Sequence, residues 1–133
     1  MGAKTPQEAH KLFVTYFNQQ DLDALLSLYE PNATLVPFPG PPVQGLESIR
    51  EVMKGFLALK GHMDLAVDKV FQADDIGLLF SSWNLQGTDP EGSPLVMSGQ
   101  TSDVVRRQPD GTWLFVIDNP QGAAATKDAE SGS

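Results

Sequence analysis

The sequence predicts an α+β domain, a cone-shaped, half-open barrel in which three N-terminal helices pack on a curved, mostly antiparallel sheet. Three observations lead there. Apolar residues recur at helical spacing as far as Leu57 and switch to a period of two from Met63 onward. Turn clusters at residues 73–75, 89–92 and 108–111 divide the second half into long strands with short connections, which forces antiparallel neighbours. Between the halves, residues 37–42 read PFPGPP, where missing amide protons and fixed φ rule out both a helix and a central strand.

Ala9, Leu12, Phe13, Tyr16 and Phe17 form the stripe of a first helix over residues 6–18, with Thr5 as cap and Pro6 as first-turn proline. Asp21 caps a second helix whose Leu22, Leu25, Leu26 and Tyr29 share a face and which Pro31 stops, so the two helices make a hairpin. A short strand over 33–36 enters the stiff Pro-rich loop. Leu46, Ile49, Val52, Met53, Phe56 and Leu57 mark a third helix, ended by Gly61 as a residue tolerant of positive φ. Strands are expected at 63–71, 76–87, 95–107 and 112–119. Residues 122–133 offer no apolar pattern and are read as a flexible tail after one domain, 1–121. Strands this long twist strongly, so the sheet curls around the helices and leaves a concave face partly open to a ligand. The convex face then needs a cover, and a homodimer through it is the expected solution.

Composition narrows the function. With 133 residues and 41% hydrophobic content the chain holds one core rather than two. Its formal charge of −8 repels phosphate backbones and anionic lipid, so neither nucleic acid nor membrane is an expected partner. There is no cysteine, which removes disulfides and thiolate metal sites, and no apolar run approaches the roughly 20 residues needed to cross a bilayer. The first twenty residues lack the pattern of a secretory signal, so a cytoplasmic location is expected. A glycine-rich phosphate loop, a serine elbow, a zinc helix and a calcium-hand spacing are all missing, so no cofactor and no metal are expected.

Three stretches carry a family resemblance: residues 18–34 (NQQDLDALLSLYEPNAT), 44–50 (QGLESIR) and 104–120 (VVRRQPDGTWLFVIDNP). Over about residues 6–121 the chain resembles the SnoaL-like, polyketide-cyclase-like branch of the nuclear-transport-factor-like and ketosteroid-isomerase-like superfamily. The resemblance implies the cone fold; its members include isomerases, cyclases, hydrolases, dehydratases and binding modules. The isomerase branch implies a carboxylate base after the second helix, with a tyrosine and a protonated aspartate as oxyanion donors. Here Val36 and Pro37 fall at the base position, Phe13 falls at the tyrosine position with Tyr16 one turn away, and only Asp103 matches. An apolar site can hold such an aspartic acid neutral.

The candidate acid–base pair is Asp103 and Asp118. With a two-residue hairpin loop at Pro109-Asp110, Asp103 lies opposite Val116 and Asp118 opposite Thr101. Both carboxylates then share an apolar face with Val105, Leu114 and Val116, where desolvation raises their pKa values. A bulge or a solvated face instead leaves them ordinary surface aspartates. Phe13, Tyr16, Phe38, Trp83 and Asn119 are the candidate ligand contacts, although Phe13 and Trp83 read first as core. Trp113, Phe115 and Ile117 are expected to pack on the third helix or the dimer partner, His10 on an exposed turn and His62 at a strand start. Two readings stay open. One is a cofactor-independent isomerase, cyclase, dehydratase or hydrolase acting on a small apolar carbonyl-type compound; the other is a noncatalytic small-molecule binding or dimerisation module.

Overall fold

The computed structural model describes residues 2–37 and 40–123. Its elements run α1 (Pro6–Asn18), α2 (Leu22–Leu26), β1 (Tyr29–Leu35), β2 (Val43–Gln44), α3 (Leu46–Leu57), β3 (His62–Ala73), β4 (Ile76–Thr88), β5 (Pro94–Gln100), β6 (Asp103–Arg107) and β7 (Trp113–Asp118). The seven strands form one unclosed sheet in the order β2-β1-β7-β6-β4-β3, with β5 also pairing β4. All pairings are antiparallel except β1 with β7. α1 and α3 pack on the sheet and α2 packs on both of them, so the expected α+β cone is the observed fold.

Local chemistry explains most boundaries. Pro6 opens α1 where its missing N–H costs nothing, and the Asp21 side chain accepts from the Ala24 N–H at 3.1 Å to start α2. Two helix ends differ from expectation. Tyr29 does not extend α2; it begins β1, because the main chain there pairs with β7 and Leu28 O accepts from Phe115 N at 2.8 Å. Pro31 is tolerated inside β1 because the β1–β7 register breaks between Tyr29 and Thr34. After α3 it is Lys60, at φ 50°, that takes the left-handed turn. Gly61 is required for space instead: a Cβ there would stand 2.6 Å from Leu85 Cδ1 and 2.7 Å from the Gln86 carbonyl oxygen.

The strand expected over 95–107 is interrupted at Thr101-Ser102, dividing it into β5 and β6, both paired antiparallel to β4. The last hairpin corrects the sequence reading. Gln108 N bonds Thr112 O at 2.7 Å around a three-residue loop, with Gly111 at φ 87°, so Arg107 pairs Trp113 and Val105 pairs Phe115. That one-residue change puts Trp113 and Phe115, rather than the expected Leu114 and Val116, on the buried face with Val105. A bulge then inserts Val116, because Val104 pairs Ile117 while Val105 pairs Phe115. Asp118 therefore points inward after all, beside Asp103 rather than opposite Thr101.

The core is built from Phe17, Leu25, Leu35, Ile49, Leu79 and Phe115, all buried. Burial of a side chain such as Phe115 is worth about 1.5–3 kcal/mol. Arg106 donates to both carboxylate oxygens of Glu30, at 2.8 and 3.2 Å, and this fork ties β6 to β1 across β7 on the outer face. Among the described residues no helix is long and apolar enough to cross a membrane. Of the tail expected at 122–133, residues 124–133 lie outside the described residues, while Gly122 is buried, its N–H on Asn119 O at 3.1 Å.

Candidate functional site

A cavity opens within the cone, with Phe13, Phe17, Met53, Trp83, Met97 and Phe115 among its apolar walls and Asp103, Asp118 and His10 at its polar end. Its volume is about 60 Å³, several times the roughly 10–15 Å³ that one water needs. That is room for a small organic molecule. Among the described residues no Lys or Arg lines it, and no three His, Cys, Asp or Glu side chains come together as a metal ligand set.

Five elements each contribute one polar group to a continuous chain beside the cavity. His10 on α1 places Nδ1 2.6 Å from Ser81 Oγ on β4 and Nε2 2.5 Å from Asp103 Oδ2 on β6. The backbone N–H of Asn119 donates to Asp103 Oδ1 at 2.6 Å. Asp118 on β7 lies against Asp103, and the Tyr29 hydroxyl on β1 donates to Asp118 Oδ2. Both carboxyls are buried, at 1% and 6% exposure. Burial pushes the Asp118 carboxyl well above the usual carboxylate range; the charge of Asp103 and the contact with it act the same way, and the Tyr29 hydroxyl opposes them. The Tyr29 hydroxyl is likewise pushed up, by burial and then by the Asp118 charge.

The site residues expected from sequence separate into groups. Asp103, Asp118, Phe13 and Trp83 meet at the cavity. Tyr16 packs at the edge of the core and is not among its lining residues. Asn119 takes part through its backbone; its side-chain Nδ2 donates to the Gly122 carbonyl at 3.3 Å. Phe38 lies outside the described residues. The exposed turn expected for His10 is replaced by a position only 3% exposed, stacked on Phe115 with ring centroids 5.6 Å apart. The sequence held a signal for it: His10, Phe13 and Phe17 are spaced i, i+3, i+7, so they share one helix face. Tyr29 and Ser81 carried no such signal.

A SnoaL-like domain profile matches residues 11–123. No curated protein matches the chain. Among solved structures, the chain is similar to a ketosteroid isomerase-like protein from Erwinia carotovora atroseptica, with 20% identity, TM-score 0.76, and coverage of 84% of this chain and 88% of that one. It is similar to a candidate dehydratase of the NTF2-like family from Streptomyces avermitilis, with 17% identity, TM-score 0.71 and coverage of 84% and 89%. A candidate calcium/calmodulin-dependent protein kinase II association domain from Xanthomonas campestris is also similar, with 20% identity, TM-score 0.70 and coverage of 87% and 86%. At these identities the likeness carries the fold. With the profile spanning most of the sequence, the chain belongs to the SnoaL-like domain family within the NTF2-like, ketosteroid-isomerase-like fold.

Proposed function

We propose that the cone is a small-molecule site in which the Asp103–Asp118 pair moves a proton on a small, mostly apolar carbonyl-type compound, without a cofactor. One observation carries the reading: two buried carboxyls stand side by side at the polar end of an apolar cavity. A carboxyl whose ionisation is disfavoured by burial keeps a proton to donate, and its charged neighbour accepts one. Asp118 gives its proton to the ligand's carbonyl oxygen while Asp103 removes a proton from the adjacent carbon, leaving an enol. Return of a proton to a different carbon gives isomerisation; loss of a hydroxyl as water gives dehydration. Either route restores the single proton on the pair. Phe13 and Trp83 serve as walls for the ligand body, and the absence of basic lining among the described residues favours a neutral compound over a carboxylate or phosphate. The names of the isomerase-like and dehydratase neighbours agree with this class of chemistry.

Met53, Met63 and Met97 all line the cavity, which makes their methyl groups reporters of occupancy. Titration with small cyclic and aromatic ketones should shift these methyl resonances in a saturable way. No shift with any ketone of the panel removes the proposed ligand class.

A second reading, a noncatalytic binding module, is favoured by Val36 and Pro37 standing where the isomerase branch carries its base. In that case ketones bind and no proton leaves them. For assembly, the reading is a homodimer through the outer face of the sheet. Phe71, Leu78, Val104 and Ile117 pair in one row across four strands, and Phe71 is 56% and Ile117 39% exposed. A second copy covers this row.

A further inference from the structure

We propose that His10 and Ser81 are positioning residues for the acid pair: the Ser81 hydroxyl donates to His10 Nδ1, which fixes the ring proton on Nε2, and Nε2–H holds Asp103 so that the pair's proton rests on Asp118. This deepens the acid–base reading above and rests on it only for the turnover arm of its test.

The geometry carries the assignment. Asp103 has two hydrogen-bond partners besides Asp118, the Asn119 backbone N–H donating to Oδ1 at 2.6 Å and His10 Nε2 at 2.5 Å from Oδ2, whereas Asp118 has the Tyr29 hydroxyl alone. The Asn119 N–H favours a charged Asp103 and burial disfavours a charged Asp118, so the proton of the pair lies on Asp118. Nothing else in the cavity competes. α3, β3 and β5 contribute apolar side chains such as Met53, Met63 and Met97, β4 adds Trp83 and Ser81, the other polar lining residues Thr101 and Gln121 are uncharged, and no Lys or Arg faces the pair among the described residues. With the proton on Asp118 and Asp103 charged, Nε2 carries a hydrogen, since a bare nitrogen against a carboxylate would set two acceptors together. Nδ1 is then left as an acceptor, and the Ser81 hydroxyl, 2.6 Å away, is its donor. Ser81 is fully buried and is itself held on both sides, its N–H on Thr101 Oγ1 at 3.1 Å and its carbonyl accepting from Thr101 N at 2.8 Å. The hydroxyl is thereby aimed at the ring by the sheet, and α1 is registered on the sheet by the same contact. An imidazole held this way sets which carboxyl is acid and which is base, a division of roles that two aspartates of equal environment do not have.

The test reads the ring directly. The chain has two histidines, and His62→Gln leaves only His10. Long-range proton–nitrogen spectra at neutral pH should show Nε2 protonated and Nδ1 bare, and carboxyl carbon spectra should show Asp118 protonated and Asp103 charged. Ser81→Ala should move the ring toward the other tautomer and spread the proton over both carboxyls, with proton transfer to ketones slowed about tenfold or more. Ser81→Thr, which keeps the hydroxyl, should restore the wild-type spectra. A bare Nε2, a doubly protonated ring or an unchanged Ser81→Ala spectrum overturns the proposal. The wild-type spectra as expected, with no ketone chemistry in any variant, leave the positioning role standing and remove the catalytic reading instead.

Discussion

His10 and Asp103, separated by 93 residues in sequence, are joined by a 2.5 Å hydrogen bond at the wall of the cavity, with both side chains buried. Removing one member strands the other. His10→Leu should destabilise the fold by about 3–5 kcal/mol, the usual cost of leaving a buried charge unpaired, whereas the double variant His10→Leu, Asp103→Leu should lose much less. Urea unfolding of the two singles and the double closes the cycle. Simple additivity of the single effects would contradict an energetic link between the two residues.

Tyr29 supplies the donor to Asp118. Tyr29→Phe should cost about 1–3 kcal/mol in the same assay, because it leaves a buried acceptor without its partner. It should also move the titration of Asp118 to still higher pH, since the lost hydroxyl is what opposes the effect of burial. A downward movement, read from the carboxyl carbon of Asp118, would contradict the arrangement.

The raised ionisation of Asp118 has a consequence for stability. The folded carboxyl keeps its proton to higher pH than the unfolded one, so the native state binds the extra proton between the two values. Its stabilising effect is fully present below the unfolded value of about 3.9 and is lost as pH rises through the folded value. Unfolding free energies from pH 4 upward should therefore fall for the wild type relative to Asp118→Asn, which has no titrating group there. Parallel curves for the two proteins would contradict a perturbed Asp118.

Gly99 leaves room for the segment that follows β7. A Cβ at Gly99 would stand 2.9 Å from both the Gln121 side-chain amide and the Pro120 carbonyl oxygen, the same oxygen that accepts from the Trp83 indole N–H at 2.8 Å. Gly99→Val should lift this segment, cost roughly 1–3 kcal/mol as an overpacking change, and break the indole bond. Trp83 emission should shift to the red while Trp113, which pairs with Ala3 and Arg107 away from this segment, keeps its spectrum. An unchanged Trp83 signal would show that the segment yields elsewhere.

The outer row predicts assembly. Sedimentation at micromolar concentration should give a dimer, and Ile117→Lys, which places a charge in the row, should give a folded monomer. A wild-type monomer would contradict the covered face.

Much of this was legible before the structure, and the exceptions have physical reasons. Helical stripes and the period-two second half located α1, α3 and the four long strand regions, because burial on one face imposes those periods. Tyr29 misled because its spacing from Leu22, Leu25 and Leu26 fits a helix equally well, and only pairing with Phe115 on β7, far along the chain, decides for a strand. The register of the last hairpin depended on whether its loop holds two residues or three, a difference the PDG turn does not announce. Asp103 and Asp118 were found together for a partly wrong reason: the loop turned Trp113 and Phe115 inward, and the Val116 bulge then returned Asp118 to the same side. A bulge leaves almost no trace in sequence. His10 was missed because a histidine reads as surface unless its place beside Phe13 and Phe17 on the helix is weighed above its polarity.

The most direct test of the central claim is deuterium wash-in. Small cyclic ketones incubated in D₂O with the protein should gain deuterium on the carbon beside the carbonyl faster than in buffer, as read by proton NMR, and Asp118→Asn should reduce the enhancement by about a hundredfold or more while retaining the wild-type melting temperature at neutral pH within a few degrees. Methyl shifts at Met53, Met63 and Met97 without any wash-in, or equal wash-in with Asp118→Asn, would contradict proton transfer by the pair and leave the cone as a binding pocket.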